Sequence, residues 1–276
     1  MLLSDIEAAF AAAHIEDARE EARLLFCALT DTPAYRVHGE DPSSDAPRLI
    51  DAVARRLKNE PLAYILGEAA FYKEVYKVTP AVLIPRRDTE ILVEHAIRLL
   101  PPNAHFLDFC TGSGCVAISV LATRTDCTAS AYDISAEALA IAKENAERNG
   151  VASRIRFFCR DLRKGRVPTA GVAAILSNPP YVTDEEMNTL PPELSYEPKK
   201  ALFGGTTGLS FYRTFLSSYS PAALGAEKGD PSPFFLFEIG HRQLDAVAAL
   251  ATANGFTAEC YPDLEGRDRV VLCRPI

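Results

Sequence analysis

The sequence lacks the features that mark membrane, zinc-binding and broadly nucleic-acid-binding proteins. No apolar run approaches the roughly 18 residues that a membrane-spanning helix needs. The seven cysteines form no CxxC pair and no Cys/His spacing that suits zinc, so we expect no metal site and a reduced setting. The net charge of −8 argues against sequence-independent binding to nucleic acid, because such binding depends on clustered Lys and Arg.

Signals for export are also missing. The chain begins Met1-Leu2-Leu3-Ser4-Asp5, without the basic region and small-residue cleavage site of a signal peptide. We therefore expect a soluble, cytoplasmic protein. The 276 residues suffice for one large domain, or for a small domain and a medium one.

The N-terminal region has the apolar spacing of helices. One stripe recurs at three- and four-residue steps, at Ile15, Ala18, Ala22, Leu25 and Leu29. After a turn-rich stretch at 40–45, a second stripe follows at Ile50, Val53 and Leu57. These patterns predict a small helical bundle that buries its own core.

From about residue 103 the pattern changes to alternating strands and helices. The predicted strands are 106–109, 130–133, 155–159, 172–177, 234–239 and 270–273. The predicted helices are 116–121, 136–148 with Ser135 as its N-cap, and about 241–254. This alternation predicts an α/β fold with a doubly wound, mostly parallel sheet. Residues 71–84 are rich in Val, Tyr and Phe and predict a hairpin between the two domains.

The first candidate binding motif is a turn from a strand into a helix, Asp108-Phe109-Cys110-Thr111-Gly112-Ser113-Gly114. Small residues there let the backbone approach a ligand, and a helix N-terminus offers free N–H groups. Such a turn also occurs for packing alone, so the motif by itself leaves both interpretations open.

Two acidic residues at later strand ends extend this site. Asp133 lies about 20 residues past the loop, where a carboxylate can accept two hydrogen bonds from a ribose diol. The same residue could instead cap the following helix. Loop and acid together favour an adenosine-bearing cofactor, with nicotinamide and flavin cofactors still open. Asp161, at the end of the next strand, is placed to recognise an adenine amino group.

The third motif, Ser177-Asn178-Pro179-Pro180-Tyr181, also follows a strand. Its prolines remove two backbone donors and leave a stiff run of carbonyl acceptors. A planar NH₂ group fits there, with one hydrogen on the Asn178 side chain and one on the Pro179 carbonyl. Positive charge that grows on this nitrogen as it attacks an electrophilic methyl would strengthen both bonds. We expect Tyr181 to pack on the amide plane, so Asn178, Pro179 and Tyr181 are the predicted catalytic residues.

This motif resembles the signature of amino methyltransferases, which act on adenine, cytosine or glutamine amides. Over nearly its whole length the chain resembles one branch of them, the HemK/PrmC family of release factor glutamine methyltransferases. The resemblance is carried by residues 60–67 (EPLAYILG), Phe71, 82–90 (VLIPRRDTE), 196–198, 201–202, 204–205, 208–209, 212–213, 238–241 and 266–269.

The resemblance implies a function and an organisation. A helical domain at 1–70 would help bind the release factor, and a β-hairpin linker would span 71–90. A Rossmann-like class I methyltransferase domain at 91–276 would hold the cofactor S-adenosyl-L-methionine. The cofactor product of the reaction would be S-adenosyl-L-homocysteine. The acceptor would be N5 of the glutamine in the factor's Gly-Gly-Gln motif, and we expect a monomer with no nucleic-acid or membrane partner. Cofactor contacts are implied for Cys110, Thr111, Gly112, Ser113, Gly114, Asp133, Asp161, Leu162 and Asn178. Substrate contacts are implied for Asn178, Pro179, Pro180 and Tyr181.

Three residues depart from the family pattern, which usually has glycine at Cys110, proline at Arg87 and aspartate at Thr207. We expect Cys110 to narrow the cofactor loop without blocking it, since not every glycine in such loops has positive φ. None of the five histidines (14, 38, 95, 105 and 241) is expected to act as a catalytic base.

Three alternatives remain at this level. The accepting glutamine could belong to a ribosomal protein, because the linker resembles that sister group too. An adenine methyltransferase would flip a base into the pocket and would bind duplex in a salt-dependent way. A non-catalytic binding module would fail to bind S-adenosylmethionine. Fold alone distinguishes none of these.

Overall fold

The computed structural model describes residues 1–37, 41–224 and 233–276, except for the side chains of 222 and 223. His38, and Glu40 at the start of the predicted turn, lie outside the described residues. Contacts divide the chain into two units, Met1–Glu68 with Pro191–Tyr196, and Ala69–Leu190 with Glu197–Ile276. Within the described ranges, no helix has the length and apolarity to cross a membrane.

The first unit is helical. Its α-helices are Leu3–Ala12 (α1), Ala18–Thr30 (α2), Ala34–Val37 (α3), Pro47–Arg56 (α4) and Leu62–Leu66 (α5). The first predicted stripe is confirmed, because Ile15, Ala22 and Leu25 are buried and Ala18 and Leu29 pack against the same core. This region therefore buries a hydrophobic core of its own.

The second predicted stripe is wrong at two of its three positions. Ile50 and Leu57 are 46% and 40% exposed, whereas Val53 is buried as predicted and Leu49 is buried with it. The buried face of α4 consists of Leu49, Ala52, Val53 and Arg56. The helix therefore carries a buried guanidinium on the side where the sequence pattern predicted apolar residues only.

The strands form a small hairpin and one large sheet. They are Glu68–Phe71 (β1), Glu74–Lys77 (β2), His105–Phe109 (β3), Thr128–Asp133 (β4), Ile155–Cys159 (β5), Val172–Ser177 (β6), Phe234–Glu238 (β7), Phe256–Pro262 (β8) and Asp268–Pro275 (β9). The large sheet has the order β5-β4-β3-β6-β7-β9-β8. Its first five strands are parallel, and β9 pairs antiparallel with both β7 and β8. The predicted Rossmann-like α/β fold is confirmed.

Helices cover both faces of this sheet. They are Glu90–Leu99 (α6), Cys115–Thr123 (α7), Ala136–Arg148 (α8), Asp184–Met187 (α9), Lys199–Leu202 (α10), Ser210–Ser218 (α11) and Leu244–Ala253 (α12). Successive strand residues enter different cores, as when Phe106 packs in one and Leu107 in the other. The predicted cap is confirmed, since Ser135 Oγ accepts a hydrogen bond from the Ala138 N–H at 3.2 Å.

Two elements differ from the sequence prediction. The hairpin spans Glu68–Phe71 and Glu74–Lys77 rather than 71–84, and Pro80, which has no N–H to donate, follows it in a loop. Strand β8 was missed because its burial does not alternate: Phe256 is buried and the next three residues are exposed. An edge strand of this kind leaves no two-residue pattern in the sequence.

Candidate active site

The candidate site lies where the order of the strands reverses. Strand β3 has β4 on one side and β6 on the other, with Phe109 opposite Tyr132 and opposite Ser177. The residues that follow these strands therefore meet at the carboxyl edge of the sheet, which is where α/β proteins of this kind bind ligands. The sheet thus brings together three predicted segments, the loop at 108–114, Asp133 and the motif at 177–181, that are separated in sequence.

A cavity of about 700 Å³ opens at this edge, within the usual range for a ligand pocket. Its lining includes seven of the predicted residues: Cys110, Gly112, Asp133, Asp161, Leu162, Asn178 and Pro180. A smaller cavity of about 40 Å³ shares Cys110, Gly112 and Asn178 with it and adds Thr111 and Ser113. Gly114, Pro179 and Tyr181 line neither. The roles of all these residues stay predictions.

Asp133 ties the loop after β3 to the end of β4. One carboxylate oxygen accepts a hydrogen bond from the Gly112 N–H at 3.0 Å, and the other accepts one from the Ser135 N–H at 2.8 Å. Burial raises the pKa of the Asp133 carboxyl, against these hydrogen bonds and the positive charge of Lys200, which lower it. Each oxygen keeps acceptor capacity on the cavity side.

The Asp161 carboxylate is held by Arg163, which lies two residues further along the chain. It caps a short 3₁₀ turn, Leu162–Lys164, by accepting a hydrogen bond from the Arg163 N–H at 3.1 Å. The Arg163 guanidinium also donates to Asp161 Oδ1 at 2.9 Å. This hydrogen bond lowers the pKa of the Asp161 carboxyl, which keeps it ionised at the wall of the cavity.

Cys110 has a left-handed backbone, with φ +59°. The premise that this position need not have positive φ is therefore wrong, whereas the expectation that Cys110 narrows the loop without blocking it stays a prediction. A non-glycine residue in this conformation is strained by about 1–2 kcal/mol. Because Cys110 lines both cavities, its thiol occupies space that a glycine would leave to the ligand. Burial raises the pKa of this thiol well above its ordinary value, so it is neutral.

The Asn-Pro-Pro-Tyr motif follows β6 directly. The Asn178 side-chain nitrogen donates to Thr89 Oγ1 at 3.1 Å, and the Tyr181 hydroxyl donates to Glu238 Oε1 at 3.3 Å. Asn178 is half-buried, and both prolines are buried. The side chains of Asn178 and Tyr181 are thus each fixed by a partner distant in sequence.

A glycine-rich turn supports the backbone of this motif. A Cβ at Gly204 would lie 2.6 Å from the Pro180 carbonyl oxygen, and one at Gly208, where φ is +68°, would overlap the Tyr181 carbonyl oxygen. Gln243 Nε2 donates to that same Tyr181 oxygen at 3.0 Å. In sequence, the glycines contributed only to the family resemblance, and nothing marked Gln243.

Two buried carboxyl groups in or beside the site, although part of the quoted sequence segments, were given no role from the sequence. Asp108 and Glu238 are each 1% exposed, and burial raises the pKa of each to about 7. Asp108 lines the smaller cavity and accepts a 2.5 Å hydrogen bond from the Thr111 hydroxyl. Asp108 is the last residue but one of β3, and Glu238 is the last residue of β7. A carboxyl group at the end of an apolar strand was the signal in the sequence that could have identified them.

Comparisons with known proteins identify the family and the fold. Residues 1–67 match the family model of the PrmC N-terminal domain, and residues 87–203 match that of the methyltransferase small domain. A methyltransferase from Pyrococcus furiosus shares the fold at a TM-score of 0.52, with 17% identity, over 82% of this chain and 99% of that one.

Two relatives named release factor glutamine methyltransferase align with most of the chain. That of Cereibacter sphaeroides is 42% identical over 96% of this chain and 94% of its own. That of Neisseria gonorrhoeae is 40% identical over 91% of this chain and 92% of its own. Since such identity extends over both sequences almost completely, the chain belongs to the family of release factor glutamine methyltransferases.

Proposed function

We propose that this protein transfers a methyl group from S-adenosyl-L-methionine to N5 of the glutamine in the Gly-Gly-Gln motif of peptide chain release factors. Family membership supports the activity. The observation that carries the assignment to this site is the Asn178–Thr89 hydrogen bond at the wall of the main cavity. The amide nitrogen of Asn178 is used by Thr89, so its oxygen remains to accept a hydrogen from a substrate amide.

The larger cavity suits an adenosine-bearing cofactor. Asp133 would accept hydrogen bonds from the ribose diol, because each of its oxygens has acceptor capacity beyond the backbone N–H that it already binds. The ionised Asp161 and the backbone at Leu162 would recognise the adenine edge. The loop from Cys110 to Gly114, which leads into α7, would hold the methionine part.

Bound S-adenosylmethionine supplies an electrophilic methyl group on a sulfonium centre. The protein's own task is orientation: Asn178 Oδ1 and the Pro179 carbonyl would each accept one amide hydrogen of the substrate glutamine. This leaves the nitrogen facing the methyl group, and both hydrogen bonds strengthen as positive charge develops on the nitrogen. The methylated nitrogen then releases its proton to water.

Further parts of the proposal concern the partner and the setting. The helical region that matches the PrmC N-terminal domain would contribute to binding the release factor. We propose a monomer that acts in the cytoplasm on this protein substrate, with no direct contact to nucleic acid.

The test is transfer of labelled methyl from S-adenosylmethionine to purified release factor, beside a factor whose Gly-Gly-Gln glutamine is alanine. We expect label on the first factor only. An Asn178→Ala enzyme should lose about 100-fold or more in kcat, because the amide hydrogen-bond acceptor is gone. Asn149→Ala is the matched control, since that side chain donates to the backbone carbonyls of Val75 in β2 and Asn145 in α8, and its loss should leave activity unchanged.

Ribosomal protein and duplex DNA serve as parallel acceptors. Label on either of these, with none on the release factor, would keep methyl transfer to a planar NH₂ nitrogen and overturn the substrate. Absence of transfer to every acceptor, together with no binding of S-adenosylmethionine, would favour a binding module.

A further inference from the structure

A buried carboxyl group stands directly behind the Asn-Pro-Pro-Tyr motif. Glu238 is the last residue of β7, and the residue before it, Phe237, lies opposite Ser177 of β6. Asn178 and Glu238 therefore leave neighbouring parallel strands at the same level. Glu238 is 1% exposed and lines neither cavity, so it does not meet a ligand directly.

Glu238 is connected to both predicted catalytic side chains. The Tyr181 hydroxyl donates to Glu238 Oε1 at 3.3 Å. The Thr89 hydroxyl lies within reach of the Glu238 carboxylate, and this contact lowers the pKa of Glu238. A hydroxyl has a single hydrogen. If Thr89 donates that hydrogen to the carboxylate, its oxygen can only accept a hydrogen bond from the Asn178 side chain. The Asn178 amide is then oriented with its nitrogen toward Thr89.

The position is an unfavourable one for a carboxylate. Burial raises the pKa of Glu238 to about 7, and Glu238 Oε2 has no hydrogen-bond partner among the described residues. Charged and titratable groups face it from several elements: Tyr181 after β6, Asp88 before α6, Arg269 in β9 and Cys115 in α7. Arg269 favours the ionised form and Asp88 opposes it. A group needed only to fill space would be served better by an apolar side chain.

We propose that Glu238 is a positioning residue for methyl transfer, whose carboxylate sets the Tyr181 ring directly and the Asn178 amide through Thr89. The proposal rests on the proposed function, because it assigns a purpose to the orientation of Asn178. In a Glu238→Gln variant, the new NH₂ group can donate to Thr89 Oγ1. The Thr89 hydrogen is then turned toward Asn178, and the Asn178 oxygen turns away from the substrate.

Kinetics separate positioning from binding. Glu238→Gln and Thr89→Val should each lower kcat about tenfold or more, while the Kd for S-adenosylmethionine stays within about threefold of wild type. Thr89→Ser keeps the hydroxyl and should restore kcat to within about threefold of wild type. Wild-type kcat should rise with pH around the raised pKa of Glu238, about 7, and this rise should be absent in Glu238→Gln.

Tyr219→Phe is the matched control for the loss of a buried polar contact. The Tyr219 hydroxyl is buried in the same unit and accepts a hydrogen bond from the Val167 N–H at 2.8 Å, and neither residue lines a cavity. This variant should lower Tm without changing kcat. A drop in kcat equal to that of Glu238→Gln would instead indicate general loss of packing and would overturn the proposal.

A second readout does not depend on the substrate. In ¹⁵N-labelled protein, the side-chain NH₂ signals of Asn178 should shift with pH around the raised pKa of Glu238, about 7, and this shift should vanish in Glu238→Gln. If wild-type enzyme labels no acceptor, the proposed function fails while this titration still decides the positioning proposal. Asn178 signals that ignore both pH and the Glu238 substitution would overturn the proposal, as would unchanged kcat in Glu238→Gln and Thr89→Val.

Discussion

Asp133 Oδ2 accepts a hydrogen bond from the Gly112 N–H at 3.0 Å, which joins two segments of the candidate cofactor site before any ligand binds. The same carboxylate accepts from the Ser135 N–H through Oδ1. Asp133 therefore holds the loop after β3 in place and also faces the cavity. Its removal should affect cofactor binding more than stability.

Substitution of Asp133 tests this arrangement. Asp133→Ala removes the predicted ribose acceptor and the partner of Gly112, and hydrogen bonds to a charged group contribute about 1.5–3 kcal/mol. The Kd for S-adenosylmethionine, measured by calorimetry, should rise by about 10- to 100-fold. Asp126→Ala is the control, because Asp126 also accepts a backbone N–H, from Asn103 at 2.8 Å, but lies outside both cavities. If both variants bound S-adenosylmethionine with the same Kd, Asp133 would have no part in binding the cofactor.

Because the backbone at Cys110 is left-handed, we expect a glycine substitution to be less destabilising than a valine substitution. Cys110→Gly relieves the strain at φ +59°, so the free energy of unfolding should stay within about 1 kcal/mol of wild type despite the added chain entropy. The variant should bind S-adenosylmethionine at least as tightly, since the cavities gain space. Cys110→Val should lose about 2 kcal/mol or more, because β-branched residues disfavour positive φ.

Urea unfolding measures these stabilities. Cys159→Val is the control, since Cys159 is exposed and ends strand β5 with ordinary strand geometry, where valine is favoured. It should leave stability nearly unchanged. If Cys110→Gly were as destabilising as Cys110→Val, strain at this position would not be the deciding factor.

Asp108 predicts that stability falls as pH rises. Its pKa in the folded protein is raised to about 7 by burial, above its ordinary value of 3.8, so the folded state favours the protonated form. This contribution is complete below pH 3.8 and is lost as pH rises through 7. Between about pH 5.5 and pH 8.5 it should lower the free energy of unfolding by about 2 kcal/mol, at roughly 1.4 kcal/mol per pH unit below the pKa.

Asp108→Asn isolates this effect from other titrating groups. Asparagine resembles the protonated acid, so the variant should match wild type only below pH 3.8, and its stability advantage in urea unfolding should grow by about 2 kcal/mol between pH 5.5 and pH 8.5, since the folded-state pKa of Asp108 is about 7. Parallel stability curves for the two proteins across this range would show that Asp108 titrates as in the unfolded chain.

Arg56 is expected to dominate the electrostatics of the helical unit. It is 1% exposed, and its guanidinium binds Glu21 and Glu193 at 2.5 Å each. Arg56→Ala leaves these carboxylates unpaired and should destabilise this unit by about 3 kcal/mol or more. Arg55→Ala is the adjacent control: Arg55 is 39% exposed, and its ion pair with Glu60 should contribute below about 1 kcal/mol. Hydrogen exchange in α2 measures both, and equal protection in the two variants would contradict the prediction.

The pattern of residues along the chain was sufficient to predict the fold class and to place most of the candidate site. Apolar strands that alternate with helices require a parallel sheet, and parallel strands place their carboxyl ends on one edge. Cys110, Asp133, Asp161 and Asn178 each follow or end such a strand, and all four line the main cavity. Their convergence therefore follows from local pattern and topology alone.

The contacts that hold these residues in place depend on long-range packing and could not be predicted from the sequence. The hydrogen bond from Asn178 to Thr89 joins residues far apart in sequence, and the pairing of β6 with β7 brings Glu238 to the level of Asn178. The positive φ of Cys110 and the inward turn of Arg56 follow from the same kind of long-range packing. Local propensity reports what one segment prefers, whereas backbone strain and buried charge are set by neighbours that the chain supplies from elsewhere.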